Sequence, residues 1–523
     1  MAWTEMEVIY TLLGVCVSVG LLAYAWGVLD LVWFKPKKLE KWLKQQGLKG
    51  NPYRILSGDT KEFAKMTSDA ISKPMALSDN VAPRVNPYFV HLAGKYGKNC
   101  YAWMGPIPMV FLRDPELIKE VLNKSDLFQK PKNSPLGRKL VRGLVSYEKE
   151  QWAKHRRLIN PAFYSEKLKL MQPAFLLSCS EMLSKWEGIV YGKGTSSCEV
   201  DVWPDLQGLT CDVISRTAFG SSYEEGKRIF ELLKEQAMHF MEAVSQVYIP
   251  GWRFVPTKRN RRMSGIENEV TSTIQVIIDK RINATQAGEA NTRHDLLGIL
   301  LESNFQEIRQ QGNKECGMSI EQIMDECVLF YFAGQETTSA MLVWTMILLS
   351  RFQDWQARAR EEVLQVFGDK KPDFEGLNNL KVVTMILYES LRLYPPVSGL
   401  ARKTIEETKL GEIVLPQGTM LMLPTLLMHV DTEIWGDDAK EFKPERFQEG
   451  IMKATNGKQV FFPFGGGPRI CVAQNFALVE GKMALAMILQ RFSFELSPSY
   501  AHAPYSRVTT QPQYGAPLIM HKL

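Results

Sequence analysis

Three short stretches of this chain place reactive side chains where their surroundings are apolar. In Phe464-Gly-Gly-Gly-Pro-Arg-Ile-Cys471, a cysteine follows a glycine-shaped loop and stands at the mouth of an apolar helix, Val472 to Arg491. Free amides and the positive end of the helix dipole there favour a thiolate. With Arg469 two residues earlier, the arrangement suits a metal or cofactor ligand. The triple glycine is no phosphate loop, because no Lys-Ser/Thr follows it. Standing alone, a cysteine is more often an inert buried thiol.

The second stretch, Ala333-Gly-Gln-Glu-Thr337, interrupts an apolar helix with a glycine, an acid and a hydroxyl. These cost stability there and so need a reason. Thr337 is placed to bond the carbonyl of Ala333 four residues back, opening a local groove, with Gly334 leaving room beside it. A merely tolerated threonine fits the same spacing. The third, Glu389-Ser-Leu-Arg392, sets acid and guanidinium on one helical face among Ile386, Leu387, Leu391 and Leu393, just before Pro395-Pro396. An arginine in that setting needs a second anionic or carbonyl partner. On a surface the same pair would be common and worth little.

The elements that must position these groups are mostly helices. Periodicity near 3.6 runs through Glu224–Val247 and Ile266–Arg281, and β-like runs appear at Tyr101–Leu112 and Thr404–Leu423, the latter with turn signals at Lys409-Leu-Gly411 and Pro416-Gln-Gly418. Ser319-Ile-Glu-Gln322 is a capping box that starts a helix extending to about Leu349, too apolar to be anything but central. The polar stretch Ala284–Met318, interrupted by an apolar segment from His294 to Ser303, reads as a long connection within one domain.

Of 523 residues, 45% are hydrophobic and 23% charged, which excludes a disordered chain, a collagen-like repeat and a polytopic membrane protein. Val8–Leu29 carries no charge, and its length matches a hydrocarbon core of about 30 Å. Residues 1–34 contain three acids and no Lys or Arg; the remainder holds 63 basic residues against 54 acidic, a net +9. Acids before the span and Lys35, Lys37, Lys38, Lys41 and Lys44 after it put the long C-terminal body on the cytosolic side. A cleaved signal fits poorly: the run is long, the preceding region is acidic, and no small-x-small site precedes the lysines. The expected organisation is a membrane anchor, 1–34, and a single catalytic domain, 35–523. Eight cysteines without regular spacing fit a reducing compartment and make no disulfide framework. The cluster Lys258-Arg-Asn-Arg-Arg262 lacks an aromatic platform, so nucleic-acid binding is not expected.

Trp152-Ala-Lys-His-Arg156, Ala333–Thr337, Glu389-Ser-Leu-Arg392, Pro444-Glu-Arg-Phe447 and Phe464–Cys471 follow one another at large separations. In this order they strongly resemble a membrane-anchored eukaryotic cytochrome P450, over the whole chain. The resemblance implies a mostly α fold with a minor β sheet behind an N-terminal transmembrane helix, located in the endoplasmic reticulum membrane. It implies heme b, with Cys471 as axial thiolate and metal ligand and Phe464 shielding the sulfur. Arg469, Trp152, Arg156 and Arg402 would meet the heme propionates. Glu389, Arg392 and Arg446 match a buried scaffold triad. Glu336 and Thr337, with Gly334 beside them, match the acid–alcohol pair that delivers two protons to dioxygen so that water leaves. Members that isomerise peroxides, or dehydrate, without a reductase tend to lack that pair, so a monooxygenase is favoured over such an isomerase or dehydratase. One departure is Ala473, where the family usually has glycine two residues after the cysteine.

Trp33–Lys41, Lys49-Gly-Asn-Pro-Tyr-Arg54, Tyr248-Ile-Pro-Gly-Trp252, Pro256–Arg262, Pro498–Pro504 and Gln511-Pro-Gln-Tyr514 are similar to the plant group that includes secologanin synthase. That likeness implies a hydrophobic terpenoid substrate: an iridoid such as loganin or loganic acid, hydroxylated or ring-cleaved, or alternatively an oleanane-type triterpenoid. By family analogy the pocket draws on Pro131–Leu144, Met238–Val247, Phe330–Thr337, Val397–Leu400 and Thr509–Tyr514, with Arg138, Lys139 and Arg142 as its charges. Nothing in the chain resembles a flavin or nicotinamide domain, so a separate NADPH-cytochrome P450 reductase on the same membrane is expected to supply electrons for O2 activation.

Overall fold

The computed structural model describes residues 2–132, 137–192, 196–221, 223–244, 255–286 and 295–523. Tyr248–Trp252, positions 133–136 and 245–247 of the expected pocket, and residues 287–294 lie outside the described residues.

A helix from Ala2 to Leu29 passes through a π-helical turn, Asp30–Phe34, into the helix Lys35–Gln45. The stretch Ile9–Gln45 holds a window long and apolar enough to cross a membrane, none of it buried against the rest of the protein. Its far end is fastened to the body: Tyr53 Oη donates to the carbonyl of Val32 (2.6 Å) and Trp42 Nε1 to that of Val414 (2.9 Å).

The remainder is mostly helical, with a few small sheets. The run read as one β segment near Tyr101 is a hairpin, β2 (Asn99–Met104) and β3 (Ile107–Leu112), turned at Gly105-Pro106. With β1 (Lys49–Gly50), β4 (Phe128–Gln129), β6 (Leu400–Thr404) and β9 (Met420–Leu423) it makes a six-stranded sheet in the order β1-β2-β3-β9-β6-β4, parallel at β1/β2 and β3/β9. Of the two turns read between Thr404 and Leu423, the first lies at the tip of a small hairpin, β7 (Thr408–Leu410) and β8 (Ile413–Leu415), and the second follows β8. β5 (Ser197–Asp201), β10 (Phe492–Leu496) and β13 (Pro517–Lys522) form a second, antiparallel sheet, and β11 (Pro504–Ser506) pairs β12 (Thr510–Pro512).

The central helix, Ile320–Arg351, starts at the capping box expected from its sequence: Gln322 N donates to Ser319 Oγ and Ser319 N to Gln322 Oε1. It packs along the helix Val202–Phe219, where Phe219 stacks on Tyr331 with ring centroids 4.1 Å apart. The polar connection after residue 284 contains a longer helix than its apolar segment suggested, Leu296–Gln311, capped by Asp295.

The helix Lys381–Leu393 carries the buried ion pair. Arg392 donates Nε to Glu389 Oε2 (2.8 Å) and Nη2 to Oε1 (2.7 Å), with both side chains 0% exposed. The further partners that burial demands are the carbonyls of His429, at 2.7 Å, Ala439, and Glu441, at 3.0 Å. Arg446 Nε lies 3.4 Å from Glu389, so the three expected members do converge. Beyond them, His429 Nε2 accepts the amide of Phe462 (3.1 Å), two residues before the glycine loop begins. Burial, then the nearby Arg392, pushes the His429 imidazole down to about 3, so it stays neutral and able to accept. The ion pair thereby braces the segment that delivers Cys471.

Replacing Arg392 by Met takes the two-point partner from buried Glu389 and leaves it, of these two cations, only the longer contact to Arg446, which costs about 3–5 kcal/mol. Thermal unfolding should show a large loss of Tm, and a wild-type transition would contradict this account of the scaffold.

Candidate active site

The glycine loop closes on itself: Cys471 N donates to the carbonyl of Phe464 (2.9 Å). Gly467 sits at φ +63, and a Cβ there would stand 2.2 Å from the carbonyl oxygen of Leu122, so only glycine allows this approach. The following helix starts at Gln474 rather than Val472, which leaves Cys471 three residues ahead of it. The helix end therefore does not by itself make a thiolate. Burial pushes the Cys471 thiol up, against the Ala473 amide, Arg156 and Lys130, which favour the charged form. Although protein surrounds it closely enough for burial to dominate its electrostatics, Cys471 has accessible surface and faces an opening.

Four cations form one cluster at this cysteine: Arg156 and Lys130 act on it directly, and Arg402 and Arg469 act on Lys130. Arg156, on the helix Lys149–Ile159, donates Nη1 to the carbonyl of Ile470 (2.7 Å) and acts on Cys471. Arg402, on β6, is 4% exposed and donates Nη1 to the carbonyl of its neighbour Ala401 (2.9 Å). Burial and then Arg469 push its guanidinium down to about 10. Arg469 itself binds Glu148 (2.7 Å) and the Tyr147 carbonyl (2.8 Å) and lies 4.7 Å from the Trp152 ring centroid. The fourth, Lys130, follows β4, and its ammonium is pushed down to about 7 by burial, Arg469 and Arg402. The anions acting on this set are Glu148 and Cys471. One carboxylate and one thiol among four cations leave a strong local demand for further negative charge. A group with an iron to bind the sulfur and two carboxylates to meet the cations fits this donor set.

On the central helix, Thr337 Oγ1 donates to the carbonyl of Ala333 (2.9 Å), as its spacing allows, and Ala333 is exposed between half-buried Phe332 and Gly334. Gly334 serves differently from expectation. A Cβ there would lie 2.8 Å from Ile214 Cγ1, so its missing side chain permits helix approach to Val202–Phe219 rather than room beside the Ala333 carbonyl. Glu336 is buried, and its Oε2 accepts from Gln511 Nε2 (2.6 Å) and Thr509 Oγ1 (3.3 Å) of the β11–β12 hairpin. Burial pushes this carboxyl up, opposed by Lys234, Thr509, Gln511 and Arg507.

Several functional contacts escaped sequence reasoning. His155, inside the Trp152–Arg156 stretch, meets Glu326 of the central helix (Nδ1 to Oε1, 2.6 Å), with both side chains 0% exposed. This clamps the arginine-bearing helix to the helix that carries Thr337. Lys130 and Glu148 had no motif to announce them. Lys139 and Arg142, expected as pocket charges, are occupied instead: both pair with Glu267, and Arg142 also lies 3.5 Å from Asp325.

A mostly helical body with a cysteine in a glycine loop, a ring of cations and an acid–alcohol pair on a central helix defines a class. The chain belongs to the cytochrome P450 family, whose model matches residues 80–514. More narrowly, it is a plant member of the CYP72A clade. It is 56% identical over 519 residues to cytochrome P450 CYP72A219 of Panax ginseng, covering 99% of this chain and 100% of that one. It is 58% identical over 500 residues to cytochrome P450 72A397 of Kalopanax septemlobus (96% of each), and 57% identical over 512 residues to cytochrome P450 72A15 of Arabidopsis thaliana (97% and 99%). Among solved structures, retinoic acid bound cyanobacterial CYP120A1 matches with a TM-score of 0.74 at 21% identity, covering 91% of this chain and 99% of that chain; at that identity the likeness is one of fold. The protein is thus a heme-thiolate monooxygenase, an oxidoreductase that takes electrons from a reductase and oxygen from O2.

Gly467→Ala should cost about 1–3 kcal/mol through a strained positive φ and the clash with Leu122. Calorimetry of the loaded protein reads this directly, and an unchanged Tm would show the loop has slack that its geometry denies.

Proposed function

We propose that Cys471 is the heme ligand and that Lys130, Trp152, Arg156, Arg402 and Arg469 hold the propionates, the first of these added to the set named from sequence. The observation that carries this reading is the gathering of four cations around a single thiol with one carboxylate among them. Bound there, heme supplies redox chemistry in which the thiolate pushes electron density that favours O–O cleavage. Phe464, partly buried at the start of the loop, limits water beside the sulfur. Ala473 contributes its amide to the sulfur, a task its extra methyl relative to glycine leaves intact.

Glu336 and Thr337 move protons. Thr337 has its own hydrogen committed to Ala333, which leaves its oxygen as an acceptor for a water, and Glu336 exchanges protons with bulk. This pair supports a monooxygenase over a reductase-independent isomerase or dehydratase. Residues 1–34 anchor a single catalytic domain to the cytosolic face of the endoplasmic reticulum, beside NADPH-cytochrome P450 reductase.

The substrate is a hydrophobic plant terpenoid. With Lys139 and Arg142 neutralised by Glu267 and Asp325, two of the three charges named for the pocket are spent. That favours a largely apolar skeleton, of triterpenoid type, over an iridoid acid such as loganic acid; a neutral iridoid such as loganin stays compatible.

Microsomes containing the chain and reductase, given NADPH and a panel of oleanane triterpenoids and iridoids, should yield a product carrying one atom from isotope-labelled dioxygen. Conversion without NADPH would point to the isomerase class, and selective oxidation of iridoid acids would overturn the apolar-pocket reading. Separately, the double variant K130M/R402M should lose most of its heme during gel filtration while keeping its helical signal. Full heme retention would remove these two residues from the propionate set.

A further inference from the structure

The acid of the central helix is held by a part of the chain more than 170 residues away. Gln511 Nε2 donates to Glu336 Oε2 at 2.6 Å and to Thr509 Oγ1 at 2.9 Å, while Thr509 Oγ1 donates to the same Glu336 oxygen at 3.3 Å. Both donors converge on Oε2 and leave Oε1 outside the bonded cluster. Thr509 is 1% exposed and Thr510 0%, and Gln511 is half-buried.

The hairpin that presents them is fixed from three sides. Trp344, two turns further along the central helix, donates Nε1 to the Thr510 carbonyl (2.8 Å). Thr510 donates its amide to the Pro396 carbonyl (2.9 Å) and its hydroxyl to that of Pro395 (2.9 Å), just beyond the helix that carries Arg392. Arg84 spans the stem, donating to the carbonyl of Pro504 (3.0 Å) and to Gln513 Oε1 (2.9 Å). A donor pair held this firmly is preorganised for one carboxylate position.

We propose that Gln511, assisted by Thr509, is a positioning residue for proton delivery: it fixes one oxygen of Glu336 to the C-terminal hairpin and holds the acid in its ionisable form, leaving the other oxygen to exchange protons. This rests on the reading of Glu336 as the proton-carrying acid. Burial alone disfavours the carboxylate, and two donors to the ionised form oppose that penalty. The charged groups facing Glu336 are Lys234 of the helix Tyr223–Val244, Arg507 of the hairpin tip and, as a thiol, Cys211 of the helix Val202–Phe219. Lys234 opposes the burial penalty most, followed by Thr509 and Gln511 and then Arg507; Lys234 and Arg507 are exposed, so salt screens them, whereas the two neutral donors act at contact distance whatever the ionic strength.

Removing a donor to the charged form raises an acid's pKa. Gln511→Leu should therefore move the Glu336 midpoint up by about one pH unit, a tenfold change in ionisation ratio. Infrared titration of the ferric enzyme without turnover reads the midpoint, the band being assigned by its loss in Glu336→Gln. In turnover, Q511L should release several-fold more peroxide per NADPH, with the pH profile of coupling displaced the same way. Thr509→Val, nearly isosteric, should shift both readouts in the same direction by less, and carries the test if Q511L fails to fold. A lost contact of merely structural value would lower Tm without moving the infrared midpoint. If E336Q uncouples but neither hairpin variant shifts the midpoint, the positioning role is wrong and the acid reading survives. If E336Q remains fully coupled, the acid reading falls and the positioning role with it.

Discussion

Charge burial is the constraint on which the site depends. A thiol taken out of water prefers its proton, and a guanidinium taken out of water needs an anion. Around Cys471 the chain meets both demands together: Lys130 and Arg156 favour the thiolate, while Arg402 and Arg469 press on Lys130 and on one another. Glu148 accounts for part of this positive charge through its bond to Arg469. On the proposed assignment, the dianionic cofactor of the family would account for the rest.

Such a site needs a stiff frame, and the frame is built from contacts between parts of the chain that are remote in sequence. Arg392, paired with Glu389, holds three carbonyls, among them that of His429, and the His429 ring in turn holds Phe462 at the entrance to the glycine loop. His155 and Glu326 lock the helix bearing Trp152 and Arg156 to the helix bearing Thr337. The C-terminal hairpin touches that same helix at Trp344 and at Glu336. Oxygen-side and cofactor-side residues therefore share one set of fastenings, which is why residues distant from the chemistry bear on it.

Much of this was legible in the sequence where the cause is local. The capping box at Ser319 and Gln322, the Thr337 bond four residues back, and the facing of Glu389 and Arg392 follow from helical spacing alone. Arg446 and the arginines proposed for the propionates were named from ordered motifs. What stayed hidden depends on long-range approach: His155 to Glu326, Gln511 to Glu336, and Lys130 and Glu148 beside Arg469 are single residues with no spacing rule to join them. Gly334 was misread because its neighbour, Ile214, lies on another helix. For Cys471 the place before a helix was the wrong reason to expect a thiolate: the helix starts three residues later, and the groups that favour the charged form against burial are the Ala473 amide, Arg156 and Lys130.

The account stands on Cys471 as the thiolate ligand. The reduced, carbon monoxide-bound spectrum of the full-length chain tests this most directly when set beside that of Cys471→His. The wild-type protein should show the long-wavelength band of thiolate-ligated heme, and the variant should lose it in favour of the shorter-wavelength, imidazole-type band. A thiolate-type band that survives in Cys471→His, or one that is absent from the wild-type protein with heme bound, would contradict it.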